Sequence, residues 1–111
     1  MAPPKGSSAF YACITPLGTI ELGGELDLST LHDFHEVLDQ VATPGRALVL
    51  DLSQVTFMDS IGVHGLLKAW HMTGEPVVLQ NPPARVRRLL AICDPKSRPQ
   101  AWMIQDHAVS T

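Results

Sequence analysis

Apolar residues recur along this chain with two different spacings, which predict helices and strands in turn. Steps of three and four residues produce one apolar stripe on each of three predicted helices. The first helix covers residues 29–42, the second runs from Ile61 to about Trp70, and the third opens with Asn81-Pro82-Pro83, where proline is tolerated in the first turn. The stripes are Leu31, Phe34, Leu38 and Val41; Val63, Leu66, Leu67 and Trp70; and Val86, Leu89, Leu90 and Cys93.

Short apolar runs between these helices predict strands at residues 10–15, 19–22, 47–52, 77–79 and 101–104. The turn Thr15-Pro16-Leu17-Gly18 joins the first two strands as a hairpin. We expect Gly23-Gly24 to end the second strand and Asp51-Leu52-Ser53 to close the third. The third and fourth runs are apolar almost throughout, which is typical of strands buried on both faces. Asp27 or Ser29 can cap the first helix.

The order of these elements predicts an α/β fold, with a mixed four- to five-stranded sheet covered by three or more helices. The chain has 111 residues, which suits one compact domain, and no linker divides it. We place this domain at residues 8–106, after a flexible leader at 1–7 and before a loose tail at 107–111.

Charge is distributed unevenly along the chain, although the net charge is only −3. Eight acids and one base, Arg46, lie between Glu21 and Asp59, whereas residues 85–98 are mainly basic. The acidic front half argues against direct nucleic-acid binding and suits a partner that carries arginines. No apolar run is long enough to cross a bilayer and no signal peptide is evident, so we expect a cytoplasmic protein. We also expect a monomer when the protein is free.

The segment Val55-Thr56-Phe57-Met58-Asp59-Ser60-Ile61-Gly62 joins the third strand to the second helix. Ser60 lies where that helix begins, and a helix start offers unpaired N–H groups and tolerates a phosphate. Two interpretations are open: Ser60 caps the helix, or Asp59 caps it and leaves Ser60 exposed.

Catalytic and metal chemistry are poorly supported by the sequence. Ser60 and His64 can touch at a spacing of four residues, but no nucleophile elbow or orienting acid accompanies them. His32 and His35 lack a matching ligand cluster elsewhere in the chain. No glycine-rich phosphate loop is present. We therefore predict no enzymatic activity, no cofactor and no metal.

Three segments resemble the STAS domain family, and specifically the bacterial anti-sigma factor antagonists. They are Gly24-Glu25-Leu26-Asp27, the stretch from Leu50 to Gly62, and Val77-Val78-Leu79 followed by residues 83–90. The resemblance covers roughly residues 8–106, and its second segment is the specific one. There are three departures. Ile61 stands where the family often has a second serine, Val63-His64-Gly65 is unusual, and residues 93–99 replace the glycine that commonly follows the third helix.

The resemblance implies a protein switch with no catalytic residues of its own. The unphosphorylated antagonist would bind an anti-sigma factor that is also a serine kinase, with a histidine-kinase-like ATPase fold, and so release a sigma factor. The kinase would phosphorylate Ser60 and stop binding, and a separate serine phosphatase would reset it. The residues expected at the partner-binding surface are Glu25, Asp27, Met58, Asp59, Ser60, Ile61 and Gly62. The alternative is a STAS accessory subunit of a membrane lipid or anion transporter.

Overall fold

The computed structural model describes residues 10–93 and 100–106, which form five strands and three helices. The predicted leader at 1–7 and tail at 107–111 lie outside the described residues. In chain order the elements are β1 (Phe10–Ile14), β2 (Ile20–Leu26), α1 (Leu31–Val41), β3 (Val49–Met58), α2 (Ser60–Thr73), β4 (Val77–Gln80), α3 (Ala84–Cys93) and β5 (Trp102–Gln105).

The strands form one sheet in the order β1-β2-β3-β4-β5, in which only the β1–β2 pair is antiparallel. From β2 onward, one helix connects each strand to the next strand in the chain, and that strand is also its parallel neighbour in the sheet. Right-handed crossovers of this kind place successive helices on the same face of the sheet. Consistent with that, α2 packs against both α1 and α3. The predicted α/β fold with a mixed five-stranded sheet is confirmed.

The core lies between this helical layer and one face of the sheet. The two faces of the sheet differ in burial along β3. Leu50 and Leu52 on the helical side are fully buried, while Asp51 is half-buried and Ser53 is exposed. The prediction that the third and fourth strands are buried on both faces is therefore wrong. Helices cover only one face, so Val49 and Val78 on the other face stay half-buried.

Two strands run further than their sequences indicate. Strand β2 continues through Gly23-Gly24 to Leu26, with irregular register against β3, so the predicted break is wrong. The Tyr11 ring lies against Gly23 where a Cβ atom would be, which supplies the packing that glycine lacks. Strand β3 does not close at Ser53 but continues to Met58. Its buried Val55 and Met58 hold this second half in the core.

The helices start within two or three residues of their predicted positions. Helix α1 begins at Leu31, α2 at Ser60 and α3 at Ala84. Asn81-Pro82-Pro83 therefore precede the third helix and do not form its first turn as predicted. The longest helix, α2, has 14 residues. Within the described part of the chain, no helix is both long and apolar enough to span a membrane.

Candidate functional site

The ends of β2 and β3 bring two acidic loops together. Leu26 is paired with Met58 at the end of the parallel ladder, and the Asp59 N–H donates to the Leu26 carbonyl at 3.4 Å. The next residue after each strand is an aspartate, Asp27 after β2 and Asp59 after β3. Because the carboxyl ends of parallel strands meet at one edge of the sheet, the start of α2 lies beside the loop that precedes α1.

Asp59 is the N-cap of α2, which decides between the two interpretations left open by the sequence. Its carboxylate accepts the N–H of Ile61 at 2.9 Å and of Gly62 at 3.3 Å. Ser60 is consequently the first helical residue, and its side chain is exposed. Within the described residues the Ser60 hydroxyl makes no hydrogen bond.

The loop after β2 is fixed by its own hydrogen bonds. The Asp27 carboxylate accepts the Ser29 N–H at 3.0 Å and the Ser29 hydroxyl at 2.7 Å. The buried Thr30 hydroxyl donates to the Glu25 carbonyl at 2.6 Å and accepts the Asp27 N–H at 3.2 Å. These bonds make Thr30 the residue before α1, and it gives no side-chain cap. The predicted cap at Asp27 or Ser29 is therefore wrong, because both side chains are engaged with each other.

Close packing beneath the surface holds the start of α2 in place. A Cβ atom on Gly62 would lie 2.7 Å from the Leu26 carbonyl oxygen and 2.7 Å from Met58 Cγ, so only glycine fits there. Gly62 and Met58 are buried, while Glu25, Asp27, Asp59 and Ile61 are half-buried. Of the residues predicted to bind a partner, Met58 and Gly62 thus lie beneath the surface and support the others.

Two apolar side chains near this site were not singled out from the sequence. Leu28, next to Asp27, is 74% exposed, and Phe57, which pairs with Glu25 across the sheet, is 46% exposed. Their one sequence signal is position: Leu28 directly follows Asp27, and Phe57 lies two residues before Asp59. Solvent-exposed apolar side chains beside a functional residue are typical of a surface that a partner protein covers.

The candidate site lies at the protein surface, where Ser60 is exposed. Two grooves in the described residues, of about 300 Å³ near Arg46 and about 430 Å³ between α3 and β5, are not lined by Ser60, Asp27 or Asp59. His64 is exposed on α2, one turn after Ser60. Residues 10–93 and 100–106 contain no group of three or more His, Cys, Asp or Glu side chains that could hold a metal ion.

Comparisons with known proteins agree with this architecture. The family model described as "Mlab, STAS domain" matches residues 17–95. A STAS-domain containing protein of Pseudomonas aeruginosa is 36% identical over 78 residues, covering 67% of this chain and 76% of the relative. An anti-sigma-B factor antagonist of Staphylococcus aureus is 32% identical over 77 residues, covering 66% of this chain and 71% of the relative.

The solved structure of the anti-sigma factor antagonist SpoIIAA in its unphosphorylated form is also similar, with a TM-score of 0.64. The alignment covers 91% of this chain and 90% of SpoIIAA, at 22% sequence identity. This similarity supports the fold.

Proposed function

This chain belongs to the STAS domain family, and we propose that it acts as an anti-sigma factor antagonist controlled by phosphorylation of Ser60. In this proposal the unphosphorylated protein binds an anti-sigma factor that is also a serine kinase, and a sigma factor is released. A serine phosphatase restores the binding form. The names of the Staphylococcus aureus relatives and of SpoIIAA support the antagonist role.

The observation that carries the proposal is the state of the Ser60 hydroxyl. It is exposed, it lies on the first residue of α2, and its helix is already capped by the neighbouring Asp59. A serine that served as the cap would have to break a structural hydrogen bond before it could react. The Ser60 hydroxyl does not cap α2, so a kinase could modify it while the Asp59 carboxylate continues to cap the helix.

The same geometry supports a change of charge as the signal. Phosphorylation adds about −1.5 to −2 charges and three strong acceptors. The N–H groups of Ile61 and Gly62 already bond to the Asp59 carboxylate, so they are not available as hydrogen-bond donors to a phosphate on Ser60. The phosphate would therefore add to the negative charge of Asp59 and of the nearby Asp27 loop.

We propose that the partner covers the surface formed by Leu28, Asp27, Ser60 and Ile61. Leu28 would supply an apolar anchor, and the acids would meet basic side chains of the partner. A phosphate in the middle of this contact would be desolvated without a matching cation. Burying a misplaced charge can cost several kcal/mol, and each 1.4 kcal/mol weakens binding tenfold, so a hundredfold loss of affinity is the expected order.

The proposal includes no chemistry by the protein itself. Ser60 and His64 are both exposed, and no carboxylate within the described residues bonds to His64 to orient it as a base. We therefore propose a regulatory protein that acts in the cytoplasm, where its kinase would find ATP.

Intact-mass measurement after incubation with the candidate kinase and ATP tests the proposal. One phosphate should be added, and peptide mapping should place it on Ser60. Ser60→Ala should bind the kinase and stay unmodified, while Ser60→Asp should bind about a hundredfold more weakly. Ser53→Ala is the matched control, because Ser53 is an exposed serine in the same segment and should leave both readouts unchanged.

Two outcomes would contradict the proposal. Stoichiometric phosphorylation of Ser60→Ala at the wild-type rate would place the modification elsewhere. Equal affinity of Ser60→Ala and Ser60→Asp for the kinase would show that negative charge at position 60 does not control binding. Copurification with a membrane transporter, unaffected by Ser60→Asp, would instead favour the alternative role of a STAS accessory subunit.

A further inference from the structure

The face of the sheet opposite the helices is uncovered in the part of the chain that the structure describes. Mostly parallel sheets are normally covered on both faces by helices. Here α1, α2 and α3 lie on one face, and the strand residues that point away from the core form a second surface. We call this surface the open face. Its members include Tyr11, Cys13, Glu21, Gly23, Glu25, Val49, Asp51, Ser53, Gln54, Phe57, Val78, Gln80, Met103 and Gln105.

The open face carries acids and no base. The five strands contain no lysine, arginine or histidine, and their three acids all point away from the core. Glu21 and Asp51 are direct register partners on adjacent parallel strands, about 4.8 Å apart along the hydrogen-bonding direction. Like charges directly opposite each other are destabilising, so a cation brought by another molecule would be favoured between them.

The same face has a continuous apolar row next to these acids. Val49, Val78 and Met103 are register partners across β3, β4 and β5, and Met103 is 45% exposed. Tyr11 lies on β1, where its ring covers Gly23, and Phe57 lies near the other end of the face. An acidic centre flanked by apolar side chains complements a molecule that is both basic and apolar.

We propose that the open face docks a basic amphipathic helix of a partner protein. The five strands span about 19 Å from β1 to β5, which matches a helix of about 13 residues. Its apolar stripe would rest on the row of Val49, Val78 and Met103, and its lysines or arginines would meet Glu21 and Asp51. The docked helix would complete the missing layer of the α/β sandwich. The contact would be made independently of the state of Ser60.

Two synthetic helices serve as the probe. One is a 16-residue labelled amphipathic peptide of leucine and lysine, and the other has glutamate at every lysine position. Fluorescence anisotropy should detect binding of the lysine peptide only. The variant pair Glu21→Gln and Asp51→Asn, made together, should weaken binding about tenfold. The matched control, Asp33→Asn with Glu36→Gln on α1, changes the net charge equally and should stay within twofold of wild type.

A second measurement needs no variant, so it does not depend on how a substitution folds. Cys13 is exposed on the open face, and Cys93 is half-buried at the end of α3. The lysine peptide should slow alkylation of Cys13 at least fivefold and leave the rate at Cys93 unchanged. Amide chemical-shift changes should fall on the strands, and Ser60→Asp should bind the peptide as wild type does.

Several results would overturn the inference. Equal weakening by the two variant pairs would mean that only net charge matters. Binding of the glutamate peptide, or shift changes confined to α1–α3, would exclude this charge arrangement or this face. The free protein could also self-associate, which concentration-dependent sedimentation would detect. If the double variant Arg85→Gln, Arg88→Gln on α3 abolished this self-association, the molecule on the open face would be a second copy of the chain.

Discussion

Asp59 holds the start of α2, so removing its side chain should weaken the whole fold by a measurable amount. Its carboxylate is the acceptor for two N–H groups of the first helical turn, at 2.9 Å and 3.3 Å. Asp59→Ala leaves both donors without that partner and removes a negative charge from the positive end of the helix. Asp59→Asn keeps an acceptor at the same place and removes only the charge.

The sizes of these two effects can be separated. Replacing a good N-cap by alanine costs about 0.5–2 kcal/mol, and a charge at a helix end contributes about 0.3–1 kcal/mol. Because two hydrogen bonds are lost, we expect Asp59→Ala to lower the free energy of unfolding by about 1.5–2 kcal/mol. Asp59→Asn should lose only the charge contribution, at most about 1 kcal/mol. For a domain of this size the alanine variant should melt about 5–10 °C lower than wild type.

Urea unfolding followed by circular dichroism measures both losses. Asp33→Ala is the control, because Asp33 lies in the first turn of α1 and its side chain makes no cap hydrogen bond; its change should stay within about 0.5 kcal/mol. Equal destabilisation by Asp59→Ala and Asp59→Asn would refute the capping role, as would a wild-type midpoint for Asp59→Ala. If the expected order is found, Asp59→Asn becomes a folded variant that reports how the charge beside Ser60 affects kinase binding.

Three further predictions follow from packing and titration. Gly62→Ala should lower the free energy of unfolding by about 1–3 kcal/mol in urea unfolding, because its methyl group would meet the Leu26 carbonyl oxygen at 2.7 Å. Gly23→Ala should displace the Tyr11 ring, which near-ultraviolet circular dichroism would detect as a changed tyrosine signal. Burial lowers the pKa of His35 below its usual 6.5, so the folded state resists protonation of this side chain. Stability should therefore be kept above pH 6.5 and fall as the pH drops below it, and His35→Gln should fall less between pH 7.5 and 5.5.

The spacing of apolar residues predicts which elements form but misplaces the ends of two strands. Ser53 and Gln54 are polar neighbours in β3, a pattern typical of a turn, yet the strand continues through them. They are tolerated because no helix covers the face on which β3 exposes polar side chains. The pair Gly23-Gly24 is equally misleading, because the contact that supports it comes from Tyr11 on another strand. Contacts of this kind between strands leave no local pattern in the sequence.

The sequence identifies residues for a candidate site but does not determine their geometry. The sequence places Ser60 at a helix start and leaves the choice of cap open, since Asp59 and Ser60 are both good caps. The choice depends on the hydrogen bond from the Asp59 N–H to the Leu26 carbonyl, a contact between residues 33 positions apart. The exposure of Leu28 could not be predicted from the sequence either, because an isolated leucine in a polar loop is consistent with a buried or an exposed side chain.

If Ser60 is phosphorylated as proposed, the cap geometry predicts an effect on partner binding and little effect on the fold. Two unit charges about 6 Å apart in water repel each other by about 0.7 kcal/mol, so a phosphate of about −1.5 to −2 charges at that distance from Asp59 would cost the folded state about 1–1.4 kcal/mol. The helix end returns about 0.3–1 kcal/mol of that cost. In a protein interface the same charge loses its water and can cost several kcal/mol. The larger energy lies in the complex, so the phosphorylated protein should unfold within about 1 kcal/mol of the unmodified protein while its affinity for the kinase falls by orders of magnitude.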